Sequence, residues 1–280
     1  MVGRVLLTGA GGRVGRMLRT RLARPGRVLR LVDTGRQEPA AEGEAVELIV
    51  ADVTDAARMA AACAGVDAVV HLGGVPAEDT WDTLMRVNVD GARTVLEAAR
   101  QAGVTRVVLA SSVHAAGFYR RPGSRPQPPG VPAPIGPDGV PAHLPMRPDN
   151  YYGVSKAACE ALASLYADRF GMTVCALRLG DCAPEPPGEW ALHSWLSPDD
   201  CGRLVEACLS TQVSGYRAVW GISRNTRRWW SLAEGEEIGY HPVDDAEDYA
   251  DKVTPASGDR AATVGLLGGR HTTTALGVRP

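Results

Sequence analysis

Short apolar runs alternate with stretches in which apolar side chains recur every three or four positions, and the alternation persists through the first 180 residues. Residues 2–7 make an apolar run of strand length, and Val14, Met17, Leu18 and Leu22 then share one helical face. Further strands are expected over 27–32 (ending at Asp33), 45–51 (ending at Asp52), 67–72 (closed by Gly73 and Gly74) and 104–111. Between them the pattern predicts a short Ala-rich helix over 56–63. It also predicts a long amphipathic helix over 82–102, with Leu84, Val87, Val95, Leu96 and Ala99 toward the sheet. A helix over 152–170, with Ala158, Leu162, Leu165 and Tyr166 in register, leads to a sixth strand over 173–179. After a turn-rich bend at 184–188, a helix is expected over 198–210, N-capped by Ser197 with Asp199 and Asp200 in its first turn. A strand over 216–222 and a short acidic helix over 244–252 follow, and residues 255–280, rich in Gly and Thr, show no assignable period. Strands alternating with helices imply an α/β, doubly wound parallel sheet.

Residues 120–149 break the alternation with ten of the chain's twenty prolines. Such a segment is a long loop rather than a helix or inner strand. A lid or interaction role and plain disorder fit it equally.

The first strand runs into Gly9, Gly12 and Gly15, spaced by three, and then into a helix. Strand, glycine turn and helix make the first half of a dinucleotide-binding βαβ unit. Gly9 permits the turn, Gly12 lets backbone N–H groups reach a pyrophosphate, and Gly15 lets the helix pack closely. The helix N-terminus adds free N–H donors and a positive dipole end. Asp33, at the second strand end, suits the ribose hydroxyls and repels a 2′-phosphate, which favours NAD over NADP. Arg36 lies close by and pulls the other way, and a strand-end turn would also use Asp33. Asp52 suits either an adenine edge or a helix N-cap.

Lysine occurs only at 156 and 252, so Tyr152-Gly-Val-Ser-Lys156 stands out. Tyr and Lys four apart share a helix face. An ammonium beside a phenol stabilises the phenolate, which can take the proton from an alcohol as hydride leaves for a nicotinamide. Ser111 and Ser112, at the end of the fifth strand, are placed to hold the reacting oxygen, because ligands bind at strand carboxyl ends in such sheets.

Composition narrows the classes. The chain has 280 residues, 45% hydrophobic and 22% charged, with a net charge of −2. These values fit one large globular α/β unit and argue against a general nucleic-acid binder. Six cysteines without a C-x-x-C pair point to free thiols in a reducing cytosol, with no metal site expected. No apolar run is long enough for a bilayer, so no membrane association and a cytoplasmic location are expected.

Taken together, TGxxGxxG, the strand-end Asp33, Asn88 within Val-Asn-Val-Asp-Gly, the Ser-Ser strand end and YxxxK resemble the extended short-chain dehydrogenase/reductase pattern of the NAD-dependent epimerase/dehydratase superfamily. The resemblance spans nearly the whole chain and is nearest to uronate dehydrogenases. The stretches that carry it are His71-Leu-Gly-Gly74, Ser111-Ser-Val-His114, Arg178-Leu-Gly-Asp-Cys-Ala-Pro-Glu-Pro186, Trp195-Leu-Ser-Pro-Asp-Asp200, Val219-Trp-Gly221 and Trp229-Trp230.

The resemblance implies a Rossmann-type unit over 1–180 with the 120–149 loop inserted. A small substrate-binding lobe over 181–280 would be interleaved with it. It implies Ser112, Tyr152 and Lys156 as a catalytic triad, with Tyr151 a bystander. NAD would be held by Gly9, Gly12, Arg13, Val14, Gly15, Asp33, Asp52, Val53, Leu72, Gly73, Gly74 and Asn88 together with Tyr152 and Lys156. A homodimer or larger homo-oligomer, through the helices at 82–102 and 152–170, is a habit of the family.

The substrate end departs from the pattern. Uronate dehydrogenases place a carboxylate-binding Arg where this chain has Trp190, Asn where it has Val113, and Ser where it has Pro76. Unless Arg120, Arg121 or Arg125 compensates, a simple uronate is a poor fit and a less charged sugar-like alcohol is expected. His114 would contact a sugar hydroxyl or serve as a hydrogen-bonded structural residue, and Trp190 and Trp195 suit ring stacking or the core. Dehydratases of the family carry an acid pair where Val113 and His114 stand. An epimerase needs a larger C-terminal lobe, and a non-catalytic dinucleotide sensor would typically lose the Tyr or the Lys. An NAD-dependent oxidoreductase of a sugar-like alcohol is therefore the leading expectation.

Overall fold

The apolar runs become the interior of a parallel sheet in the computed structural model, which describes residues 2–123, 138–253 and 265–279. The strands are β1 (Arg4–Thr8), β2 (Val28–Asp33), β3 (Val46–Val50), β4 (Ala68–His71), β5 (Arg106–Ser112), β6 (Thr173–Leu179) and, after a two-residue β7–β8 pair (Asp181–Cys182, Trp195–Leu196), β9 (Tyr216–Gly221). Among the described residues, seven strands form the main sheet in the order β3-β2-β1-β4-β5-β6-β9, every neighbouring pair parallel. The order reverses next to β1, which opens a crevice at the strand carboxyl ends.

Helices cover both faces. On one, α1 (Arg13–Leu22) and α7 (Pro198–Ser210) bury Leu18, Leu22, Leu204 and Val205 against Val5, Leu7, Leu29 and Leu31. On the other, α2 (Ala56–Cys63), α4 (Gly91–Gln101) and α5 (Tyr151–Phe170) pack Met59, Val95, Leu96, Cys159 and Ala163 over Leu6, Val69 and Val107. Ser197 caps α7 as expected, accepting the Asp200 N–H at 2.9 Å.

The expected helix over 82–102 is three pieces: α3 (Trp81–Leu84), a π turn over Met85–Asp90, and α4. The wide turn carries Asn88, the kind of place where π turns collect at functional sites. The acidic segment near 244–252 is a 3-10 helix over Ala246–Lys252, its first turn held by Asp245.

On α5 the expected apolar face is met in part, since Leu162 and Tyr166 pack into the core. Leu165 is 50% exposed, whereas Tyr152, Ser155, Lys156, Cys159 and Glu160 are buried. The helix turns its polar stripe inward because those side chains find partners there, described below, so its apolar periodicity marks the packed face only in part. In the C-terminal part, α6 (Ala191–Ser194) and α8 (Ala233–Glu237) accompany a Trp-rich cluster. Trp220, Trp229, Trp230 and Leu267 pack with Val113, Tyr119 and Val140, so segments from both sides of residue 180 share one core. Arg125 and most of residues 255–280 that lacked a period lie outside the described residues or in short turns, of which Gly269–Thr272 is a 3-10 turn.

Candidate active site

The crevice is a cavity of about 890 Å³ that reaches from the glycine turn to the Trp-rich cluster. Gly9 adopts φ +70°, and a Cβ there would lie 2.7 Å from the Gly73 nitrogen. A Cβ at Gly15 would collide with the Gly9 carbonyl. The two glycine segments, 9–15 and 73–74, therefore leave a bare backbone trough at the N-terminus of α1. Gly9, Gly12, Arg13, Val14, Gly15, Asp33, Asp52, Val53, Leu72, Gly73 and Gly74 all line it. This is the shape and polarity that a pyrophosphate requires.

Asp33 accepts the Gly11 N–H at 2.9 Å and the Gly35 N–H at 3.2 Å, which fixes its carboxylate at the end of β2. Arg36 is exposed and does not line the cavity. Asp52 bonds Thr54, while Asp55 caps α2, so the cap that the sequence allowed for Asp52 belongs to its neighbour. Behind the trough Thr8 links the Gly73 N–H (3.2 Å) to His71 (2.7 Å). Burial, and then the nearby Lys156 charge, push His71 down to about 3, so it stays neutral and structural.

Asn88 lies behind the cavity wall rather than in it. Its side chain accepts the Val75 N–H at 2.7 Å and donates to the Val75 carbonyl and to Ser155 Oγ, at 3.2 and 2.9 Å. Ser155 donates in turn to the Tyr152 carbonyl at 2.7 Å. Asn88 thereby ties the loop after β4 to α5, and its amide has no spare donor for a ligand.

The start of α5 is held from two directions. Asn150 caps it through the Gly153 N–H at 2.6 Å. The Glu78 carboxylate accepts the Tyr151, Tyr152 and Gly277 N–H groups, at 3.3, 2.8 and 2.8 Å. Tyr152 and Lys156 both face the cavity, with the ammonium 5.6 Å from the phenol ring centroid. Lys156 Nζ donates to the Ala110 carbonyl at 3.0 Å, which leaves two N–H donors to aim elsewhere.

The paired serines part company. Ser111 Oγ donates to Glu160 at 2.5 Å, and Glu160 also receives Arg178 (2.9 and 2.8 Å) and Tyr216 (3.1 Å). Ser112 Oγ accepts the His114 N–H at 3.2 Å, caps the 3-10 turn Val113–Ala116, and keeps its own proton free at the cavity.

At the far end stand Pro76, Val113, His114 and Trp190. Trp190 meets Trp229 edge-on at 4.7 Å, whereas Trp195 is 2% exposed and donates to the Ala183 carbonyl, a core residue. His114 Nδ1 lies 2.8 Å from Asp149. Burial opposes its charge, but the Asp149 carboxylate overrides it and raises the imidazole above its usual range. His271 sits 4.5 Å from His114, ring to ring, and is pushed down to about 4 by burial and by His114.

Asp149, Asp181, Ser194 and His271 were not singled out by the sequence. Asp181 directly follows the β6 end and was findable by that position. His271 sits in an aperiodic segment that gave no signal. Arg13 is the one arginine among the described residues lining the cavity, and it sits at the glycine end.

A model of the NAD dependent epimerase/dehydratase family matches residues 5–185. The chain is similar to a uronate dehydrogenase of Pseudomonas putida, 39% identical over 88% of this chain and 86% of that protein. It is also similar to an L-arabinose 1-dehydrogenase (NAD(P)(+)) of Haloferax volcanii, 36% identical over 87% and 97% of the two chains. Among solved structures, a mutant uronate dehydrogenase from Agrobacterium tumefaciens complexed with NAD superposes with a TM-score of 0.86 at 35% identity, covering 99% of each chain.

Proposed function

This chain belongs to the NAD dependent epimerase/dehydratase family, and from that premise we propose that it is an NAD-dependent dehydrogenase of sugar-like alcohols, with Ser112, Tyr152 and Lys156 as its catalytic residues. The observation that carries the reading is the cavity itself, which joins a bare glycine trough, Tyr152, Lys156 and Ser112, and a further stretch lined by Pro76, Val113, His114 and Trp190. NAD, when bound, supplies the hydride acceptor. The residues around the trough fit it: Asp33 would hold the adenosine ribose and Lys156 the nicotinamide ribose. Ser112 donates to the substrate oxygen and holds it. Tyr152 takes the hydroxyl proton as the C–H electron pair departs, and returns it in the reverse direction. Val113 and His114 follow Ser112 where a dehydratase needs its acid pair, which speaks against elimination. The test is NADH absorbance on mixing the protein with NAD and a panel of uronates, neutral aldoses and polyols. No absorbance change with any of them would overturn the reading.

Asp33 makes NAD the expected cofactor. NADP should bind more weakly, and Asp33→Ala should narrow the gap, because the carboxylate then no longer repels a 2′-phosphate. Fluorescence titration of both cofactors checks this, and equal affinity in the unmodified protein would shift the assignment to Arg36.

Glucuronate and galacturonate are expected to be poor substrates. Arg120 is buried in a bridge to Leu266 and Arg121 stacks 5.4 Å over Trp229, so neither lines the cavity. An enclosed carboxylate without a cationic partner costs several kcal/mol, enough to lower kcat/KM about a thousandfold. Trp190→Arg should raise kcat/KM for uronates. Efficient uronate oxidation by the unmodified protein would show that another cation has taken over.

A homodimer or larger homo-oligomer through α4 and α5 is part of this proposal. It is supported by Leu165 and Phe170, 50% and 40% exposed on α5, and sedimentation would test it. No helix of the described residues is long and apolar enough to cross a membrane, and the cytoplasm is the proposed location.

A further inference from the structure

Asp181 is a cavity carboxylate that the chemistry above leaves unused. It begins β7 directly after the carboxyl end of β6, opposite Trp195 on β8. Its place is rigid. The preceding Gly180 packs so closely on Ser194 that a Cβ would collide with the Ser194 carbonyl. Ser194 Oγ donates to Asp181 Oδ2 at 2.5 Å, and it sits on the short helix α6 that begins directly after Trp190.

A carboxylate has room for about four hydrogen bonds, and Ser194 supplies one. No ion pair reaches Asp181 among the described residues. The cavity's basic side chains are engaged elsewhere: Lys156 with Ala110 and the Tyr152 ring, His114 with Asp149, and Arg13 at the glycine trough. Asp181 lines the cavity together with His114, Trp190, Ser194 and His271, the residues of the substrate end. That end therefore offers an aromatic wall, Trp190, and a half-buried carboxylate in want of donors.

We propose that Asp181 is a specificity-determining residue that grips hydrogen-bond donors, hydroxyl or ammonium, on the part of the substrate remote from the reacting carbon, and that it repels an acidic group there. This rests on the sugar-dehydrogenase reading and deepens it. The substrate's apolar C–H face lies toward Trp190, and its donors converge on Asp181. A uronate would place like charges together, and like charges within a few ångströms disfavour each other.

The experiment measures affinity and turnover side by side. Glucose, galactose, glucosamine and glucuronate are titrated into the NADH-loaded protein by calorimetry, and kcat/KM is measured with NAD. Glucose, galactose and glucosamine are expected to bind more tightly than glucuronate. Asp181→Ala should weaken these three about ten- to a hundredfold and reduce or reverse the discrimination against glucuronate. Tighter binding of glucosamine than glucose would assign the donor as an ammonium, and equal binding as hydroxyls; both support the proposal. Should Asp181→Ala fail to fold, Asp181→Asn carries the test. It keeps an acceptor for Ser194 and removes the charge, and glucuronate should gain relative to glucose. Glucuronate binding the unmodified protein more tightly than glucose, or an unchanged ratio in the variants, overturns the proposal. If no sugar yields NADH while the affinity ratio still follows Asp181, the dehydrogenase reading fails and the Asp181 assignment stands.

Discussion

Tyr152→Phe is expected to lower kcat about 10²–10⁴-fold while leaving NAD affinity nearly unchanged. Tyr152 lines the cavity beside Lys156, and Phe keeps the ring while removing only the transferable proton. Tyr151→Phe should be far milder, because that ring lies against Trp81, 5.3 Å centroid to centroid. Lys156→Ala should weaken both affinity and rate, since the proposal gives the ammonium two roles, one at the cofactor and one beside the phenol. Steady-state kinetics with a parallel NAD titration separate the three variants. A strong loss at 151 and a weak one at 152 would mean that the proton is handled by the other ring.

The second large effect is on stability. Arg178 and Glu160 are 2% and 0% exposed and paired by two hydrogen bonds. Arg178→Leu strands the carboxylate in the interior, and a single broken partner of this kind costs about 3–5 kcal/mol. In buried ion pairs the desolvation penalty roughly offsets the Coulomb attraction, so removing both charges should hurt less than removing one. Arg178→Leu with Glu160→Gln, which keeps an acceptor for Ser111 and Tyr216, is therefore expected to recover part of the loss. Urea unfolding of the single and double variants measures this. A single variant within about 1 kcal/mol of the parent would show that water or a rearranged neighbour relieves the carboxylate.

The sheet was legible because parallel strands buried on both faces are continuous apolar runs, and β1 through β6 fall within a few residues of those runs. The cofactor end was legible because its chemistry is backbone chemistry, and backbone needs leave glycines at fixed spacing. Tyr152 and Lys156 were legible because one helix carries both. The face of α5 was read correctly at Leu162 and Tyr166 and wrongly at Leu165, because the helix also buries Ser155, Lys156 and Glu160, and satisfied polar groups do not show in a hydrophobic period. The π turn at Met85–Asp90 left no mark in the pattern either. The substrate end was the least legible. It is assembled from Pro76, Val113, His114, Asp181, Trp190, Ser194, Leu267 and His271, drawn from several separate segments, with Asp149 behind His114, and no local spacing records such a meeting. Asp149 shows the difficulty. It is wedged between Gly117 and Gly268, where any Cβ would collide with it, and it fixes His114 from a stretch that reads as proline-rich loop.

One carboxylate ties the start of α5 to the end of the chain. Glu78 holds the first turn of α5 with one oxygen on the Tyr152 N–H, and spends the other on Gly277 as well as Tyr151. Arg279 then closes on Asp79 beside it at 2.7 Å. A chain emerging from the ribosome has all seven sheet strands well before it has residue 277. The first turn of α5 therefore gains this tether late in synthesis, after every strand of the sheet.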